Sequence, residues 1–287
     1  GKERLMVTEL EGYLSEEEEA LTVPLKYIRA DLRKAAMELS PRGARYLVNS
    51  YYIMQENRKR AENQLRKLME FDEPNLAISF MSYEARKQED AAKDMLAYYS
   101  QRYPIGQWAE SVRGIGPVLS AGLMAHIDIT KSPTVGAIWR FAGLDPTSIW
   151  VEKNKRPWNA KLKVLCWKAG ESFVKVQNRE DDVYGHLYVQ RKAFEQEQNE
   201  LGMFKEQADA KVRVVGKSTE AYKYYSKGKL PPAHIHARAK RWAVKIFLSH
   251  YHHVAYELHF GTPPPNPFVI EHMGHTKLIS PPNWPMA

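Results

Sequence analysis

The stretch Ser111-Val112-Arg113-Gly114-Ile115-Gly116-Pro117-Val118-Leu119-Ser120-Ala121-Gly122-Leu123 decides how the chain reads. A helical run enters it and another leaves it, with Gly114-Ile115-Gly116 between them. Glycine takes backbone angles closed to other residues and puts no Cβ in the way. Pro117 suits the first turn of a helix, where its missing N–H costs nothing. The N–H groups that open the second helix lack intrahelical partners and sit at the positive end of its dipole, a ready site for an anion. The pattern predicts a helix-hairpin-helix that grips a phosphate backbone through Arg113, Gly114, Ile115 and Gly116. Ile115 would plug the turn into the core, and Lys131 follows the second helix as a further contact.

Outward from the turn, the helical pattern continues in both directions. Pro104 to Ser111 reads as the first hairpin helix and Val118 to Ile127 as the second. Upstream, Leu25, Ile28, Leu32, Ala35, Ala36 and Leu39 recur at helix spacing. Ser40-Pro41-Arg42-Gly43 interrupts that run, and Pro41 is placed to open the next helix. Helices are expected up to Glu70 and from Leu76 to Ser100, joined by a turn over Asp72 to Asn75. Two long polar helices with a short turn between them suggest an antiparallel hairpin or a coiled-coil arm, packed on itself or on a second copy. The acidic start, with Glu16 to Glu19, reads as a solvated face or a mobile end. Downstream, helices are expected over Thr134 to Phe141, Trp158 to Val176, 181–201, and Ala233 to Phe260. The stretch 202–230 reads as polar and turn-rich. Gly261 and Pro263-Pro264-Pro265 stop the last helix, and 261–287 reads as extended chain. With almost no strand pattern, the fold class is all-α. Its expected parts are a helical arm over 1–101, a helical domain over 102–260 and a Pro-rich tail over 261–287.

A chain of 287 residues with 44% hydrophobic content can bury a substantial core. A net charge of +8 favours an anionic partner. The lone Cys166 rules out a disulfide within one chain. No apolar run approaches the roughly 18–20 residues that cross a bilayer, and the start lacks a signal-peptide pattern. The expectation is a cytoplasmic protein with no membrane partner.

Two basic regions stand out. Lys153, Lys155, Arg156, Lys161 and Lys163 face only Glu152, with Trp150 and Trp158 interleaved. Cations neutralise phosphates, while aromatic rings stack on bases or pack beneath the loop. Residues 205–245 hold eleven Lys and Arg against three acids. Within them, Arg238, Arg241 and Lys245 lie three to four residues apart and share a helix face. Gly216-Lys217-Ser218-Thr219 looks like the end of a phosphate-binding loop, but position 211 is Lys and no strand precedes it, so nucleotide binding is rejected. His250, His253 and Glu257 share a face, yet the usual metal-ligand spacings are incomplete, and no metal or cofactor is expected. Asp128 and Asp145 read as helix caps, and the remaining carboxylates are scattered.

Four blocks carry a resemblance to a known family. They are Val112-Arg113-Gly114-Ile115-Gly116-Pro117, then Trp139-Arg140-Phe141-Ala142-Gly143-Leu144-Asp145-Pro146, then the Asn159 to Lys168 helix, and last His236-Ala237-Arg238-Ala239-Lys240-Arg241-Trp242-Ala243-Val244-Lys245. Together they resemble the C-terminal domain of IS110/IS116/IS902 transposases over about 105–260. The long helices before them resemble that family's coiled-coil connector. The resemblance implies DNA recombination by an oligomer with an RNA guide and a nucleophilic serine, whose nearest match is Ser148. The RuvC-like domain that comes first in the family has no counterpart in this reading.

The leading expectation is a nucleic-acid-binding protein that holds DNA or structured RNA without independent catalysis and oligomerises through its arm. An active DNA recombinase using Ser148, and a structural or regulatory protein of a mobile element or phage, stay open as alternatives.

Overall fold

In the computed structural model, residues 30–73, 75–265 and 279–286 are described, and all regular structure among them is helical. The all-α expectation holds for those residues. The acidic start, the positions Leu25 and Ile28, and 266–278 of the tail lie outside them. The described residues divide into two compact units, one holding those up to 107 together with 116–126, the other holding 108–115 and those from 127 onward. The expected boundary at 101/102 kept the turn region whole, whereas the compact units divide it.

In the first unit, residues 30–37 are helical, followed by α1 (Pro41–Glu70) and α2 (Leu76–Gln101). The Ser40 hydroxyl accepts the Gly43 N–H at 3.1 Å, and Pro41 occupies the first turn, where no N–H is needed. Asn75 caps α2 by accepting from Ala77 at 3.0 Å and Ile78 at 3.4 Å. The reversal between them lays α2 antiparallel on α1, so that Gln55 and Arg58 meet Glu89 while Glu62 meets Arg86. Burial works to raise the Glu89 pKa, but hydrogen bonds from Arg58 and Gln55 outweigh it and hold the carboxyl below its usual value. A shorter helix, α4 (Pro117–His126), rests on both. Its Ser120, Ala121, Gly122 and Ala125 are buried, and such small side chains let backbones approach closely. The Ser120 and Ser100 hydroxyls meet at 2.6 Å, and Arg45 donates to the Ala125 carbonyl at 2.6 Å.

The intervening helix, α3 (Pro104–Ser111), has the expected bounds, and its last residues belong to the second unit. That unit is organised by α10 (Pro232–Phe260), against which α5 (Val135–Phe141), α6 (Ala160–Lys175) and α7 (Val183–Glu200) pack. Ala239, Ala243, Phe247 and Tyr251 step along one buried face of α10 at four-residue spacing. Phe247 is fully buried and stacks on Trp108 at 6.1 Å, with Phe173 at 5.4 Å and Tyr184 at 5.2 Å edge-on. Each such side chain contributes about 1.5–3 kcal/mol through burial. Asp182 caps α7 by accepting the Gly185 N–H at 2.9 Å.

The stretch 202–230, expected to be turn-rich, does hold several turns, but two short helices lie between them. These are α8 (Lys205–Val212) and α9 (Glu220–Tyr225). Ala208, Tyr225, Leu230 and Ile235 close a satellite core beneath them. Asn199 stitches it down, donating to the Leu230 carbonyl at 2.9 Å and accepting the Leu230 N–H at 2.8 Å.

Gly261 ends α10 in the left-handed conformation, φ 74°, as its type predicts. The described end of the tail is pinned back onto its own unit. Ile279 O receives a hydrogen bond from His250, Pro282 O from Trp108, and Ser111 O from Asn283.

Candidate functional site

The first two turns of α6 and the loop before them build a hollow in the second unit. Asn159 caps α6 by accepting from Leu162 N–H at 2.9 Å. Ala160, Lys163, Val164 and Trp167 then fall on one helix face at i, i+3, i+4 and i+7. Trp150, Arg156 and Trp158 arrive from the loop, and the seven side chains line a hollow of about 500 Å³. The loop is tied locally: Trp150 Nε1 donates to the Asn154 carbonyl at 2.7 Å, and Lys153 takes φ 70° to turn the chain.

Gly143, in the Ala142-Gly143-Leu144-Asp145-Pro146 block, lies against two of the lining side chains, Trp158 and Lys163. Gly143 ends α5 with φ 68°, its N–H bonding Arg140 O while the Leu144 N–H bonds Trp139 O. Those two bonds make the closed helix end that glycine favours. A Cβ on Gly143 would lie 2.9 Å from Trp158 and 3.0 Å from Lys163, so the glycine also makes room for the hollow's wall. Asp145 accepts from the Thr147 hydroxyl at 2.7 Å and the Thr147 N–H at 2.9 Å, and these bonds hold its carboxyl below the usual range.

The cations of this region lie close together in sequence around the hollow. Among the described residues, none of Lys153, Lys155, Arg156, Lys161 and Lys163 forms an ion pair, and all five are exposed. Arg156 lies 5.1 Å from the centre of the Trp150 ring and Lys163 lies 4.3 Å from that of Trp158. Ring faces attract cations without cancelling their charge. One turn further along α6, Lys240 pairs with Glu171 and sits 5.0 Å from the Trp167 ring. Trp167 was not singled out in the sequence as a contact. Its signal was there, an indole seven residues after Ala160 on the face of a basic helix.

Other sequence-selected cations are already engaged. Arg113 grips Asp181 through two nitrogens, at 2.6 to 3.0 Å, and this pairing lowers the Asp181 pKa. Lys131 pairs with Asp128 at 3.6 Å, while Asp128 caps a short 3-10 turn over Ile129–Lys131 by accepting from Thr130 at 3.0 Å. Arg238 bonds the buried Glu195 at 2.7 Å, and Arg191 bonds that same carboxylate at 2.7 Å. Lys245 lies 4.5 Å from the centre of the Trp139 ring, and burial lowers its pKa. Of the expected stripe on α10, Arg241 is exposed, while Arg238 and Lys245 are half-buried.

At the turn itself, Gly114 takes φ 95° and its carbonyl accepts from the Ser172 hydroxyl at 2.6 Å. Ile115 is buried, at 4% exposure, as its apolar type predicts. Gly116 does not need its glycine: its φ is not in the left-handed region, and a Cβ there would meet nothing within 4 Å. The freedom assigned to both glycines is therefore needed at Gly114 alone. The first backbone bond into α4 runs from Ser120 N–H to Gly116 O at 3.0 Å.

Ser148, the candidate nucleophile, is half-buried, and among the described residues no side chain hydrogen-bonds its hydroxyl. The late histidines are paired with tyrosines and carbonyls: His250 with Tyr184 at 2.7 Å, His236 with Tyr188 at 2.7 Å, His234 with Tyr225 at 3.1 Å, and His252 with Ser132 O at 2.8 Å. His253 meets Glu257 at 3.2 Å, but among the described residues no three His, Cys, Asp or Glu side chains converge on a metal position. Cys166 is buried, which pushes its thiol up to about 12. No described helix is long and apolar enough to cross a membrane.

No family model matches the chain, and neither a curated protein nor a solved structure matches it.

Proposed function

We propose that this is a nucleic-acid-binding protein, related to IS110-type transposases, that holds the phosphate backbone of DNA or structured RNA. The observation that carries the reading is the set of five cations over 153–163 with no acidic partner among the described residues. Unpaired, exposed charge on one loop and on the first turn of α6 leaves a local positive potential. That is what a chain of phosphates recognises. The paired cations Arg113, Arg238 and Lys131 add less, because their partners already balance them. The sequence pattern of a helix-hairpin-helix at 104–126 supports the same reading through the first-turn amides of α4. The kinship to the transposases and a role for a helical arm in self-association belong to this proposal as well.

The test is fluorescence anisotropy with duplex, single-stranded and junction DNA and with RNA, each at two salt concentrations. Affinity is expected to fall with salt, with a log–log slope of about 0.7–0.9 per neutralised phosphate. The triple variant K153A/K155A/K161A should reduce that slope by about 2 to 3. Failure to bind any of these ligands, or an affinity indifferent to salt, overturns the proposal.

A further inference from the structure

We infer that the hollow between the 150–158 loop and α6 takes a single unpaired nucleobase, with its flanking phosphate on Arg156 and Lys163. This rests on the nucleic-acid reading above and sharpens it to a class of substrate, single-stranded or locally opened strands rather than closed duplex.

Three indoles line one hollow, and two of them remain well exposed, Trp150 at 42% and Trp167 at 56%. Leaving such surface in water is unfavourable, and grouped exposed aromatic area marks a binding surface. The rims are cationic and, among the described residues, free of acidic partners, so the fitting occupant is flat, aromatic and anionic. A nucleotide has all three properties. A volume of about 500 Å³ lies in the range of sites that hold one small ligand.

Closed duplex does not present a base face. Its bases are stacked, and exposing one requires turning it out of the helix at a cost of unstacking. A single strand offers base faces freely, and every base has one, so the hollow discriminates strand state without reading sequence.

The hollow is also held in shape. Lys240 runs under Trp167 and is anchored to Glu171 on the same helix. Gly170 permits this, because a Cβ there would lie 2.6 Å from Lys240 Cγ. Lys240 is thus a positioning residue for Trp167. Gly143 does the same for Trp158 from the other side.

The experiment compares four labelled ligands of equal length at fixed salt: a base-bearing single strand, the same strand with every base removed, a duplex, and an acidic peptide containing tyrosine. The base-bearing strand is expected to bind at least tenfold more tightly than the abasic one. W167A and W150A, on two different elements and both at exposed positions, should each weaken the base-bearing strand about 5- to 150-fold. W167A, which leaves the loop's own tie between Trp150 and Asn154 in place, should also leave the abasic strand and its salt slope unchanged, with the circular dichroism of the parent. Equal binding of base-bearing and abasic strands, duplex binding as tight as single strand, or silent tryptophan variants overturns the hollow while backbone binding stands. Failure of every nucleic acid overturns both. Tighter binding of the peptide, lost in W167A, assigns the hollow to a protein partner and overturns it too.

Discussion

Gly143 and Trp158 are fitted to each other: a Cβ on the glycine would stand 2.9 Å from the indole's Cγ. The backbone there is left-handed, φ 68°, so a side chain is strained as well as crowded. Gly143→Ala should lower stability by about 1–3 kcal/mol and shift Trp158. Chemical denaturation reads the first effect, and a change in tryptophan emission reads the second. An unchanged midpoint and unchanged emission would show that neither constraint operates.

The two glycines of the turn should behave differently. Gly114→Ala places a side chain at φ 95°, 3.1 Å from Phe173. Its cost should be about 2 kcal/mol. Gly116→Ala meets open space and should cost well under half as much, chiefly the poorer cap that alanine provides. Thermal unfolding of both single variants measures the difference, and equal losses would contradict this account.

Arg238 should act on folding before it acts on any ligand. It shares the buried Glu195 with Arg191. Its removal leaves that carboxylate with one cation, and Arg238→Ala should destabilise by about 1–3 kcal/mol. By contrast K153A and K155A sit on an exposed loop without partners and should stay within about 0.5 kcal/mol of the parent. Urea titration separates the two groups. A destabilised K153A would show a contact that the loop geometry does not contain.

His250 should make the second unit acid-sensitive. The Ile279 carbonyl can only accept, so Nε2 carries the proton, and the Nδ1 lone pair accepts from the Tyr184 hydroxyl. Burial lowers this imidazole to about 4 from an unfolded value near 6.5. Between those values the unfolded chain binds the extra proton and the folded one does not. The neutral form's contribution is therefore complete above pH 6.5 and is lost as pH falls toward 4. That difference amounts to about 3 kcal/mol. His250→Gln keeps a donor and an acceptor but cannot titrate. Its stability, followed by denaturation at several pH values, should fall less steeply than the parent's across this window. Parallel curves would remove His250 as the cause.

Much of the helical layout was legible because its signals are local. Ser40-Pro41 and Asn75 mark helix starts by their own chemistry, and Gly261 marks an end by its own backbone freedom. The heavy polar content of 202–230 hid two short helices, since one buried residue in α8 and one in α9 suffice to pack them onto Leu230 and Ile235. The site was less legible. Charge spacing along α10 suggested an open stripe, but spacing does not reveal that Glu195 on α7 lies opposite Arg238.

The sequence by itself determined the all-helical class of the described residues, the helix starts after Ser40 and Asn75 and the end at Gly261, the burial of Ile115 and the basic character of 153–163. These follow from backbone preferences and from side chains within a few residues of one another. Only the tertiary structure decided which cations keep their charge free, that Gly114 rather than Gly116 needs its glycine, and that Trp167 shares a hollow with Trp150. The physical reason is that charge cancellation, steric fit and cavity formation depend on groups far apart in the chain, which meet only when the helices pack.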